Sequence, residues 1–191
     1  MGKLLELMQP SVQLTQGAPN PGLAIDNMLA EWGHAPYAEL SVILVHLRYL
    51  NMTHQTHHWI AKADAFYGDH QLFDRLYNST VEEIDQVAEK AVGMGGDHNV
   101  NLSLQAKQVN QLVSNYGETQ SVPLPVGNSL ARLSLLAEVN FVAVLAALLE
   151  RLRDSGQATH GIENLLQGIA DNHETNIYLL KRRCTSPSLG A

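Results

Sequence analysis

The residues best suited to chemistry lie between positions 57 and 96, in the stretch HHWIAKADAFYGDHQLFDRLYNSTVEEIDQVAEKAVGMGG. Within it His70 and Asp74 stand four apart, as do Asp85 and Glu89, with eleven residues from Asp74 to Asp85. On a helix, residues four apart share a face, and eleven residues make about three whole turns. All four side chains therefore fall in one stripe about 100° wide. His58, on the preceding helix, joins the first pair if the turn over 63–66 folds back tightly. Imidazole with several carboxylates suits hard or borderline metals such as Fe, Mn or Zn. The absence of thiolates argues against a structural zinc or an iron–sulfur cluster.

Distance decides how such residues can act. His70 and Glu89 are nineteen residues apart, about 28 Å at the helical rise, and cannot chelate one ion. They are two half-sites on one rod. Antiparallel two-fold pairing of two copies sets His70 and Asp74 of one against Asp85 and Glu89 of the other, which gives two equivalent shared sites. The candidate metal ligands and catalytic residues are therefore His58, His70, Asp74, Asp85 and Glu89. A solvated acidic face accounts for any single pair of these, but poorly for five at this spacing beside Trp59.

Four long helices must position these residues. Leu40, Leu44, Leu47, Asn51, His54 and His58 recur at helical spacing and predict a helix over 37–62, with Pro36 near its first turn. A second helix runs over 67–92, with an apolar face read as Phe73, Tyr77, Val81, Ile84 and Ala88, and is closed by Gly93, Gly95 and Gly96. A third spans 129–154 and a fourth 160–183, with Gly156 between them. Buried candidates are Leu130, Leu133, Leu136, Val144, Leu148 and Leu152 on the third, and Ile162, Leu166, Ile169, Ile177 and Leu180 on the fourth. The long second connection ends in Pro123 and Pro125 and has room for a short helix over 102–113. The fold class expected is all-α, a four-helix bundle over 34–184 with an extended arm over 1–33 and a short tail over 185–191.

Composition sets outer bounds. Hydrophobic residues are 45% and charged residues 16% of the 191, so the chain has a core to bury. The net charge of −7 matches cations better than a phosphate backbone. The longest apolar run, Phe141 to Leu149, is too short to span a bilayer. The opening MGKLLELMQPS lacks the pattern of a signal peptide, and a single cysteine, Cys184, forms no internal disulfide. A cytoplasmic protein is the expectation.

HHW, a histidine twelve residues on, then HxxxD, DxxxE and a glycine pair together resemble the iron-oxidation motif of the Dps mini-ferritins, a ferritin-like family. The likeness runs over about 37–183, through LLERLRDSG and DNHETNIYLLKRR, and is specific over 54–96. It implies that His58, His70, Asp74, Asp85 and Glu89 ligate the shared iron, with Trp59 the aromatic neighbour. It also implies a ferritin-like bundle and a homo-oligomeric cage of twelve subunits. Ferroxidase activity with hydrogen peroxide or oxygen, storage of ferric oxide and protection from oxidative damage follow from the same likeness.

The chain departs from the family at Ala63, where a glycine is common, and over 155–164, where pore-lining aspartates are replaced by SGQATHGIEN with Glu163 as the remaining acid. DNA binding is not expected, because residues 1–33 offer Lys3 against Glu6, Asp26 and Glu31. The cluster Lys181, Arg182, Arg183 reads as helix-end charge. The rival reading is a Dps-like shell that holds zinc or another divalent ion at the same ligands without turnover. Of the other histidines, His54 reads as a packed core residue, and His57 and His98 as surface residues. Trp32 and Tyr67 read as packing residues. His173 with Glu174 resembles half of a ferritin-type pair, but no ExxH accompanies it on that helix, which argues against a di-iron site inside the bundle.

Overall fold

The computed structural model describes residues 21–33, 35–62, 65–120 and 129–184. Six α-helices follow in order: α1 (Pro21–Glu31), α2 (Ala38–Ile60), α3 (Phe66–Gly95), α4 (Leu102–Gln120), α5 (Ser129–Asp154) and α6 (His160–Cys184), with a 3-10 turn at Asp97–Val100. No strand occurs among the described residues. The four long helices α2, α3, α5 and α6 form the bundle. Its interior holds α2, packed along α3 and α5, while α5 packs along α6 and α4 lies across α2.

Patterning explains this layering. Leu40, Val42, Ile43, Leu44, Val45 and Leu47 are all fully buried, so α2 is apolar round most of its girth and must be central. The other helices bury one stripe each. On α5 it includes Leu133, Ala137, Phe141, Leu145, Leu148 and Leu152, and on α6 Ile162, Leu166, Ile169 and Leu180. Helix α5 is long and apolar enough to cross a bilayer by length and composition. In the bundle it is a core helix, and Glu138 in its middle is buried and hydrogen-bonded.

Two expectations need correction. The arm read as extended over 1–33 is helical over Pro21–Glu31, and Ile25, Met28 and Trp32 insert into the core. Trp32 Nε1 donates to Gln108 Oε1 at 3.0 Å, and Gln108 Nε2 donates to the carbonyl of Met28 at 2.9 Å, which docks α1 on α4. Residues 1–20, Ala63, Pro123, Pro125 and the tail 185–191 lie outside the described residues. The buried face of α3 is shifted from the apolar face read from sequence: Phe73 is buried and Ile84 and Ala88 pack against the core, but Tyr77 and Val81 lie off it. Phe73, Leu76, Thr80, Glu83, Val87 and Ala91 face the core, whereas Val81 is 55% exposed. The helix in the long connection is present and extends over Leu102–Gln120.

Helix α3 ends where the chain passes close to the start of α2. A Cβ on Gly95 would lie 1.9 Å from Asn99 Nδ2 and 2.5 Å from the carbonyl oxygen of Pro36. Asn99 Nδ2 donates to that carbonyl at 2.8 Å, so it cannot withdraw without losing the bond. Gly95→Ala is therefore expected to destabilise the fold by about 2 kcal/mol or more. Gly93→Ala, two residues earlier in the helix with open space around it, should stabilise by about 0.5–1 kcal/mol. Denaturant midpoints of the two variants check this, and equal midpoints would refute the close-approach argument.

Candidate metal centre on helices α2 and α3

The antiparallel packing of α2 and α3 brings the end of the first against the start of the second. His58 and His70 stack there, with ring centroids 3.7 Å apart and an interplanar angle of 22°. Each imidazole bonds the other residue's backbone. His58 Nδ1 lies 2.9 Å from the carbonyl oxygen of His70, and His70 Nδ1 lies 3.0 Å from that of His58. A carbonyl only accepts, so each Nδ1 must carry a proton. In the neutral rings each Nε2 then keeps its lone pair, the tautomer needed for a metal ligand whose other nitrogen is fixed by a carbonyl.

Asp74 sits one turn further along α3, half-buried. Tyr77 links it to the histidines: its hydroxyl donates to Asp74 Oδ1 at 3.1 Å, and its ring meets His58 edge-on at 5.4 Å. The hydrogen bond to Asp74 raises the Tyr77 pKa. Asp85 and Glu89 are exposed further along the same helix. The structure thus gathers His58, His70 and Asp74 and leaves Asp85 and Glu89 apart from them in the same chain. Among the described residues, no group of three or more His, Cys, Asp and Glu side chains stands arranged to hold a metal ion. Around the stripe, Met52, Trp59, Tyr67 and Val81 are half or more exposed, a quantity of apolar surface that commonly marks an interface.

A second group of ionisable residues lies inside the bundle, with one residue from each long helix. Glu138 of α5 accepts from His54 Nε2 of α2 at 2.9 Å and, through its other oxygen, from His173 Nδ1 of α6. His173 Nε2 donates to Glu83 Oε2 of α3 at 2.9 Å. All four side chains are buried. Burial would lower the His173 pKa, but the charge of Glu138 and bonds to Glu138 and Glu83 push it up to about 9. Burial would likewise raise Glu138, but His173 and His54 hold it down to about 2. His57, read from sequence as a surface residue, is buried; its Nδ1 meets Ser134 Oγ at 2.7 Å. Burial and the proximity of His54 lower its pKa to about 3.

His54 is the packed core histidine expected, and His98 is exposed as expected. The sequence reading passed over Glu83 and Glu138. The available signal was phase: Glu83 falls on the Phe73–Leu76–Thr80–Val87 line, where an acid has no solvent. Glu163, the one acid considered for an iron-uptake pore, is ion-paired to Arg153 at 2.7 Å. Arg183 is likewise engaged, clamping Asp69 through Nε at 2.5 Å and its terminal nitrogen at 3.0 Å.

The fold is that of the ferritin-like four-helix proteins, and the comparisons show a likeness to those of Dps type. No family model matches the chain. A nutrient stress-induced DNA-binding protein of a Nostoc strain is 32% identical over 63 residues, which cover 32% of this chain and 34% of that protein. The match thus spans about a third of that relative. Among solved structures, Dps from Thermosynechococcus elongatus superposes with a TM-score of 0.64 at 14% identity, over 90% of this chain and 99% of that one. The Dps protein of Vibrio cholerae, described as a member of a broad superfamily of ferritin-like diiron-carboxylate proteins, gives 0.57 at 13%, over 91% and 98%. The chain has the Dps fold, and its sequence resembles that of a Dps-type protein.

The buried network predicts a stability optimum in pH. His173, with its pKa raised from 6.5 to about 9, contributes fully below pH 6.5 and loses its contribution as pH rises through 9. His57, lowered from 6.5 to about 3, acts oppositely: its contribution is complete above 6.5 and lost as pH falls towards 3. Glu138 adds a further loss between 4.5 and about 2. The metal-free protein is therefore expected to be most stable near pH 6.5. Denaturant midpoints at pH 5, 6.5 and 9 measure this, and His173→Gln should flatten the alkaline limb, while the acid limb changes as well because Glu138 loses the charge that holds its pKa down. A limb unchanged in that variant would refute the assignment.

Proposed function

We propose that this protein is an iron-oxidising and iron-storing cage subunit, a ferroxidase whose sites are shared between two copies of the chain. Each site takes His58, His70 and Asp74 from one copy and Asp85 and Glu89 from the other. The observation that carries the reading is the reciprocal clasp of His58 and His70. It holds two imidazoles in the metal-ligating tautomer beside Asp74, on a face where two more carboxylates lie a fixed distance along the same helix.

The donor set fits iron as substrate. Neutral imidazole binds Fe(II) while carboxylate oxygens favour Fe(III), so the ligands assist loss of an electron. Two ferrous ions give one electron each to hydrogen peroxide; its O–O bond breaks and, with two protons, two waters form. Consuming both reagents removes the source of hydroxyl radicals, which accounts for protection against oxidative damage. Assembly into a twelve-subunit cage in the cytoplasm, with ferric oxide stored inside, completes the proposal and extends the likeness to the Dps fold.

Antiparallel sharing has a consequence that no single-chain site has. In a dimer of Asp74→Ala with Glu89→Ala, one site carries both defects and the other carries none. Each variant alone is expected to lose fast peroxide-driven oxidation of Fe(II) by about tenfold or more. Mixed at equal ratio and reassembled, they should regain about a quarter of wild-type activity, since half the dimers are mixed and each restores one site of two. Stopped-flow ferric absorbance measures this. No recovery in verified mixed dimers would sink the shared site, and unchanged rates in both single variants would sink the ligand assignment.

A second reading, DNA compaction, is favoured by the name of the Nostoc relative. Against it stands the net charge of −7. A charge-driven complex requires cationic contacts and weakens steeply with salt. The expected outcome is no retardation of duplex DNA at 50 mM salt; a salt-sensitive shift would establish the second reading.

A further inference from the structure

Three side chains gathered where the end of α2 meets the start of α3 share one pattern. Each has two atoms able to bind a metal, and each has one of the two tied. His58 and His70 commit Nδ1 to each other's backbone carbonyl. Asp74 commits Oδ1 to the hydroxyl of Tyr77 at 3.1 Å. Resting on the shared-site reading above, we propose that Tyr77 is a positioning residue of that site: its hydroxyl turns the Asp74 carboxylate so that Oδ2 alone is presented to the metal. Tyr77 acts through Asp74 and is not a ligand itself.

A carboxylate on this face needs such a tie. The terminal torsion of an aspartate is broad, so rotamer preference fixes neither the plane of the group nor the oxygen that faces outward. Asp74 is half-buried, and among the described residues its Oδ2 has no hydrogen-bond partner. One charge-assisted bond at Oδ1 therefore decides how the carboxylate is turned. A partner held behind a ligating group is the usual means by which a metal site orients its ligands. Two of the three ties come from backbone carbonyls; the one to Asp74 comes from a side chain and can be removed by substitution.

Tyr77 is anchored well enough to act this way. Asn51 of α2 donates through Nδ2 to the Tyr77 carbonyl at 2.8 Å and to Thr80 Oγ1 at 2.8 Å. Thr80, fully buried, donates through Oγ1 to the same carbonyl at 2.7 Å. The base of the Tyr77 side chain is thereby fixed against α2, the helix that carries His58. Its ring meets His58 edge-on, with centroids 5.4 Å apart and planes at 67°. Its hydroxyl reaches back to Asp74 across the i, i+3 spacing that sets two side chains on one helix face. Tyr77 thus touches one ligand on each helix. A purely structural role explains the hydroxyl less well. Tyr77 lies off the core and partly exposed, where water is available and a hydrogen bond adds little to stability.

The test uses the full-length assembled protein with Co(II) in place of Fe(II), so that binding is read without oxidation. Tyr77→Phe keeps the ring against His58 and removes the hydroxyl alone. It is expected to weaken Co(II) binding about tenfold, with helicity and assembly unchanged. Asp74→Ala should weaken binding at least as much. Tyr77→Phe added to Asp74→Ala should then change it by less than about twofold, because the hydroxyl has no carboxylate left to act on. Full Co(II) affinity in Tyr77→Phe, beside a loss in Asp74→Ala, would overturn the positioning role and leave the shared site standing. An equal loss from Tyr77→Phe in both backgrounds would overturn it too, since that effect does not pass through Asp74. Co(II) affinity untouched by Asp74→Ala would overturn the shared site and the positioning role together.

Discussion

Glu138 is the point at which the four long helices are tied together. It accepts from His54 on α2 and His173 on α6, and His173 passes the connection to Glu83 on α3. Apolar packing alone leaves a helix some freedom to rotate about its axis, because neighbouring leucines and valines exchange at little cost. A buried charge network does not, since a rotation of one residue position, about 100°, would strand Glu83 or His173 without a partner. With Glu83 taken as the inward direction of α3, His70, Asp74, Asp85 and Glu89 fall about 140°, 180°, 200° and 240° round the helix. Fixing one acid inside therefore fixes the ligand stripe on the far side. The outer face of the bundle is set from within.

The same geometry explains why Val81 and Tyr77, read from sequence as part of the apolar face, lie off the core. They lie about 160° and 120° from Glu83, close to the ligand stripe and away from the buried line. In one chain they remain exposed or half-exposed. Apolar residues interleaved with metal-type ligands on an outer face make sense on a surface that another copy covers, where they exclude water from the ligands between them.

Much of this was legible in the residues. The number and order of the four long helices, and the break at Gly156, followed from periodicity and from glycine placement. The stripe followed from arithmetic on the 3.6-residue turn. Less legible was anything that depends on which of two adjacent faces turns inward. Phe73 fits both the face read from sequence and the observed one, and only partners eighty to ninety residues away, His54 with Glu138 and His173 with Glu83, decide between them. His57 was misplaced for the same reason, since its burial depends on Ser134 of α5. The helix Pro21–Glu31 was obscured because Pro21 and Gly22 suggested an arm, whereas proline is favourable in a first turn. Its helicity is secured by Ile25, Met28 and Trp32 packing into the core, a tertiary effect that local propensity does not report.

Helix α3 carries no glycine or proline between Asp69 and Val92, so the rod has no hinge within the span that bears the stripe. The separation of its half-sites is then a constant of the fold, about 22 Å from Asp74 to Glu89. No conformational change of one chain can bring them to a common ion. A shared site built on this rod therefore makes metal affinity and dimer stability a single linked quantity: whatever binds the assembled pair and not the lone chain favours assembly in proportion to its own binding. The buried network is the opposite case, because His54, Glu83, Glu138 and His173 all lie in one chain and are bonded to one another within it. The rotation of α3 that Glu83 fixes from within thus keeps the stripe of His70, Asp74, Asp85 and Glu89 on the outer face, where a second copy can reach it.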